Sequence, residues 1–179
     1  AVMKLVPRPR AYATATLSVR SLPDAVVLLN RLQAASGGMV EAFEYMPDTY
    51  MRRLAEARPD IRQPFTPRQA VNILVELGTL RPDDATPGPD GSLPINALLE
   101  DTLATMMAEG MVLDAEIAAS EAQRRAMWQR RELAAEITVA RQPTIDTDIC
   151  LPVDQVATFF DRIHARLPAL DAGAETLSV

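Results

Sequence analysis

The sequence predicts an α+β fold of ferredoxin-like type, with an antiparallel sheet covered by helices on one face. Three observations lead there. Strand-like and helix-like stretches alternate along the chain and group as β-α-β-α-β followed by α-β-α-β-α-β. The links between them are short and polar. No Gly-rich phosphate-binding turn follows any strand, as a nucleotide-binding doubly wound sheet would require. Strict alternation keeps an α/β fold with a parallel sheet as the alternative.

Each element has a local reason. Ala11 to Val19 alternates Thr14, Thr16 and Ser18 with Ala13, Ala15, Leu17 and Val19, the pattern of a half-buried strand. A helix follows, with Ser21 as N-cap, Pro23 and Asp24 in its first turn, and Gly37-Gly38 at its end. Met39 to Met46 reads as a second strand, and Asp48 as the cap of a short helix that stops near Pro59. Ala70 to Leu80 is an apolar run bounded by turn residues, hence a third strand. Residues 81–94 are rich in Pro and Gly and read as an exposed turn. The amphipathic stretch from Ile95 predicts a helix ended by Gly110, and 111–120 a strand. Ser120 and Gln123 form a capping-box pattern for one long helix to about Arg141, before Pro143. A strand is expected over 144–152, a helix over Val153 to Leu167, and a last strand from Glu175 to Val179.

Bulk properties narrow the function. A chain of 179 residues, 48% hydrophobic and 23% charged, suits a single domain with a real core. A net charge of −6 without a basic block argues against nucleic-acid binding, which draws on clustered Lys and Arg. No apolar run approaches a membrane span and no signal peptide opens the chain, so a cytoplasmic location is expected. Lys4 is the single lysine beside many arginines, the coding bias of a GC-rich, bacterial genome. One cysteine, Cys150, rules out an internal disulfide. One histidine, His164, rules out a zinc site of the usual Cys/His kind from this chain alone. The start without an initiator Met and the uncapped apolar end point to a piece of a longer protein.

Among candidate chemistries, the helix from Ser120 carries the most. Arg131 shares a stripe with Met127, Ala134, Ala135 and Thr138, and Arg124 lies close to it. Small neighbours leave room for a carboxylate to pair with the guanidinium in two-point fashion. The plainer reading is a solvated arginine on a helix face. No acidic residue lies three or four positions from Arg131, so any protein partner must be non-local. Asp146 and Asp148 fall on one face of the expected strand; they suit acid–base or metal chemistry, or simply a solvated face. Cys150 is expected as a small buried hydrophobe, His164 as a boundary or surface residue, and Met106, Met107 and Met111 as core filler.

The stretches "AVMKLVPRP", "AFEYM" (Ala42 to Met46), "ILVELG" (Ile73 to Gly78), "SEAQRRAMWQRRE" (Ser120 to Glu132) and "DICLPV" (Asp148 to Val153) occur in the order seen in the C-terminal domain of FAD-linked oxidases, a family the chain resembles over nearly its whole length. That family includes D-lactate dehydrogenase, the glycolate oxidase flavin subunit and D-2-hydroxyglutarate dehydrogenase. The resemblance implies a ferredoxin-like substrate domain, residues 1–179, of an FAD-dependent enzyme that oxidises a 2-hydroxy acid to a 2-oxo acid. The FAD-binding domain of the same parent chain is expected upstream, and the chain alone is expected to be inactive. The resemblance assigns the substrate carboxylate to Arg131, the arginine of W-x-x-R-E (Trp128, Arg131, Glu132). It implies a divalent metal held by a His pair just beyond a strand like "ETLSV". Two positions depart from relatives that act on D-2-hydroxyglutarate: Ala135 replaces a Thr, and Asp146 replaces a Lys. An acidic side chain there repels a second substrate carboxylate. A non-catalytic ferredoxin-like module for dimerisation or small-ligand binding is the competing class, since the fold hosts many functions and an open sheet edge invites a second copy.

Overall fold

In the computed structural model, residues 2–140 and 142–178 are described. β1 (Ala11–Val19) sits inside a four-stranded sheet between β3 (Val71–Thr79) and β4 (Val112–Ile117), and β2 (Val40–Pro47) lies on the far side of β3. The order β2-β3-β1-β4 is antiparallel at every pair, which is the split βαβ arrangement and not a parallel sheet.

The first helical layer follows from the strand alternation. Ala13, Ala15, Leu17 and Val19 share one face with Val71, Ile73, Val75 and Leu77. Against that face pack α1 (Leu22–Ser36), through Ala25, Leu28 and Leu32, and α3 (Pro94–Ala108), through Ile95, Leu99, Leu103 and Met106. The apolar residues recur at the three- and four-residue spacings of a helix face. Ser21 caps α1 by accepting from the Asp24 N–H at 3.3 Å, and Gly37, at φ 64°, ends it in the left-handed conformation.

The α+β class stands, and α1 and α3 form the expected layer. The opposite face is covered as well. Met46 and Leu74 pack with Tyr50, Met51 and Leu54 of α2 (Asp48–Ala57), Met127 of α4 (Glu121–Glu132), and Ala134 and Ile137 of α5 (Ala134–Val139). β1 is therefore buried on both faces, and Thr14, Thr16 and Ser18 are all within 1% of full burial.

Several local expectations are corrected. The helix from Ser120 is not continuous to Arg141, which lies outside the described residues; it breaks at Leu133. The Arg130 carbonyl, which a continuous helix would give to the Ala134 N–H, accepts the Tyr50 hydroxyl instead. Residues 144–152 alternate in sequence but are no strand: Ile145 is 93% exposed and no sheet edge pairs with them. Cys150 is accordingly exposed, not buried. Residues 175–178 are half-buried without joining the sheet, and Val179 lies outside the described residues. Asp48 is the first residue of α2 rather than its cap; its carboxylate takes the Arg68 Nε at 2.9 Å. Met107 is exposed, while Met106 and Met111 do serve the core. α6 (Val156–Leu170) reaches β2 through Phe160, which meets Tyr45 at 5.9 Å between ring centroids.

Leu28 is fully buried between α1 and the sheet. Leu28→Ala is expected to lower the unfolding free energy by about 2–5 kcal/mol, the cost of a core cavity, in urea denaturation.

Candidate functional site

The second face of the sheet sets charged and polar side chains beside the apolar contacts of Met46 and Leu74. Thr14 stands opposite Glu76, and Thr16 opposite Leu74 on one side and Glu116 on the other. Glu44 stands opposite Leu74 from β2. Three carboxylates from three strands thus point toward α4. Ser120 starts that helix by accepting from the Gln123 N–H at 3.2 Å, and the Gln123 side chain accepts from the Ala119 N–H at 2.7 Å.

Each carboxylate takes one arginine of α4. Glu76, 4% exposed, accepts from Arg124 Nε at 2.7 Å and Nη2 at 2.8 Å, from Trp128 Nε1 at 2.9 Å, and from the Thr14 hydroxyl at 2.6 Å. Burial pushes the Glu76 carboxyl up, but the bonds from Arg124, Thr14 and Trp128 outweigh it and hold the group below the usual carboxylate range. Arg124 also lies over the Tyr12 ring, 4.7 Å from its centroid.

Arg130 is the deepest cation, 3% exposed. Its Nη2 donates to Glu116 at 3.1 Å and to the Thr16 hydroxyl at 3.3 Å, and its Nη1 to the Arg62 carbonyl at 3.2 Å. Among the described residues its Nε has no acceptor. Burial and the nearby Arg62 charge bring its pKa down to about 10, so it stays a cation at neutral pH. Arg62 also pairs with Glu116.

Arg131 occupies the last turn of α4, with its side chain one-quarter exposed. Its Nε donates to Glu44 Oε2 at 2.9 Å, the non-local partner its helix neighbours could not supply. Among the described residues no other acceptor meets its guanidinium, so Nη1 and Nη2 are uncommitted. Tyr50 lies close by; burial, against the opposing Arg131 charge, raises its hydroxyl to about 12.

The fold brings Arg124, Trp128 and Arg131 together over the sheet and leaves the other candidates outside. Asp146, Asp148 and Ala135 are exposed, and Ala135 lies beyond the Leu133 break. His164 is exposed, stacks on Phe160, and has its Nε2 3.0 Å from the Thr176 hydroxyl. Sequence pattern alone does not single out Glu76, Glu44, Glu116 or Arg130. The signal for Glu76 was a lone charge inside the apolar run 73–77; for Arg130 it was a place on the buried stripe of Met127, Ala134 and Ile137.

Among the described residues no group of three or more His, Cys, Asp or Glu side chains could hold a metal. The hollow lined by Met51, Phe65 and Asn72 is packed closed, and the depression along Arg124, Arg125, Trp128 and Glu132 is an open surface. Neither encloses a flavin. No helix among the described residues is long and apolar enough to cross a membrane.

In comparison with known proteins, residues 8–177 match the family described as FAD linked oxidases, C-terminal domain. No curated protein matches the chain.

A carboxyl held below its ordinary range stabilises the fold above its unfolded pKa, and that contribution fades as pH falls through the folded value. Glu76→Gln is therefore expected to lose about 3 kcal/mol of unfolding free energy at neutral pH. In urea titrations across the acid range, the gap between parent and variant should narrow below about pH 4.

Proposed function

This chain belongs to the family of FAD-linked oxidase C-terminal domains, and we propose that it is the substrate-binding domain of a flavoenzyme that oxidises a 2-hydroxy acid to a 2-oxo acid. Membership implies an FAD-dependent oxidoreductase parent. The observation that carries the substrate reading is Arg131, part-buried at the end of α4, with Nε tied and, among the described residues, both terminal nitrogens uncommitted. Two parallel N–H groups are the geometry a carboxylate accepts. Arg131 holds and orients the acid; the hydride chemistry belongs to the flavin when it is bound. On this reading the partners are the hydroxy acid and an FAD-binding domain of the same polypeptide, in a cytoplasmic parent.

The substrate is a short monocarboxylic hydroxy acid. Neither Ala135 nor Asp146 offers a cation to a second carboxylate, and both are exposed. Catalytic efficiency of the full-length parent is expected to be higher for D-lactate or glycolate than for D-2-hydroxyglutarate; the reverse order would reject this assignment.

Arg131→Ala in the full-length parent should cost about 2–4 kcal/mol in kcat/KM. An unchanged efficiency would favour the non-catalytic alternative, a dimerisation or small-ligand module. That alternative draws on the sheet edges at β2 and β4, although β4 is short and carries Asp114 and Glu116.

A further inference from the structure

We infer that Glu44 is a positioning residue, which fixes the Arg131 guanidinium through Nε so that its Nη1/Nη2 edge is presented to the substrate carboxylate. The inference rests on the reading of Arg131 as the carboxylate anchor. A guanidinium has two kinds of paired edge, one through Nε and one between the terminal nitrogens. Glu44 engages Arg131 only at Nε, at 2.9 Å.

The other two arginines are used differently. Arg124 commits Nε and Nη2 to Glu76 and Nη1 to Glu121. Arg130 commits both terminal nitrogens, to Glu116, Thr16 and the Arg62 carbonyl. Of the three α4 arginines paired with strand carboxylates, only Arg131 keeps its terminal pair, among the described residues. Glu44 itself is on a strand, so its Cα is fixed by the ladder to Leu74. An anchored carboxylate holding one nitrogen removes rotamer freedom from a long side chain before substrate arrives. A carboxylate that competed with substrate would sit on the terminal pair, and Glu44 does not.

The test uses the full-length flavoenzyme. D-lactate, glycolate and D-2-hydroxyglutarate serve as probes, and the one that reduces the flavin fastest is carried into steady-state kinetics. Glu44→Ala is expected to raise KM about fivefold, the scale of one orienting hydrogen bond, with kcat within about twofold. Glu44→Gln keeps an acceptor at the same place and should restore the parental KM. In an Arg131→Ala background, Glu44→Ala should add nothing further to KM, whereas a merely structural role would add its own effect. A lower KM in Glu44→Ala would show competition with substrate and overturn the inference. So would an unchanged KM in Glu44→Ala when Arg131→Ala raises it. If Arg131→Ala itself leaves KM unchanged, the anchor reading fails, and the inference with it.

Discussion

A carboxylate in the middle of a sheet has to be answered, and the upper half of this domain is built around the answer. Glu76 sits on a central strand and is nearly fully buried. Desolvating such a group costs several kcal/mol unless charge and hydrogen bonds meet it. Four hydrogen bonds do, from Thr14, Trp128 and two nitrogens of Arg124. Two of the three donor residues lie on α4. The helix is therefore required over this face for an electrostatic reason as well as an apolar one, and Met127 supplies the apolar contact between them.

The same helix carries a second buried charge that is met less fully. Among the described residues Arg130 has partners for its terminal nitrogens but none for Nε. Its backbone carbonyl is taken by Tyr50, and there the helix ends. The break lets Ala134 and Ile137 turn down onto α2. It also leaves Arg131 at the helix's C-terminal end, where the backbone dipole favours a cation. Two features that look separate in sequence, the arginine pair and the end of the helix, thus share one buried tyrosine.

Short-range pattern made the first helical layer legible. Period-two alternation found β1 with its observed bounds, and Ser21 and Gly37 marked both ends of α1. The same alternation misled at 144–152, because it describes which side chains share a face and says nothing about whether a neighbouring strand exists to pair with. The Leu133 break was hidden because Tyr50, whose hydroxyl meets the Arg130 carbonyl beside it, lies 80 residues away. At the candidate site, Arg131 was visible as an arginine among small residues, and the need for a distant acid was legible too. Which acid was not: choosing Glu44 among the acids of the chain needs the register of β2 on β3.

The three pairs between α4 and the sheet have a mechanical consequence. By strand register, Glu44 and Glu116 lie in one row across the sheet, through Leu74 and Thr16, and Glu76 lies two residues along β3 from that row. The tether points form a triangle, not a line. A body held at two points still swings about the axis joining them; a third point off that axis stops the swing. The helix behaves like an instrument stage on three feet. Its last turn cannot be tilted without lifting a foot, so the bearing of its final arginine is set by the spacing of the strands beneath.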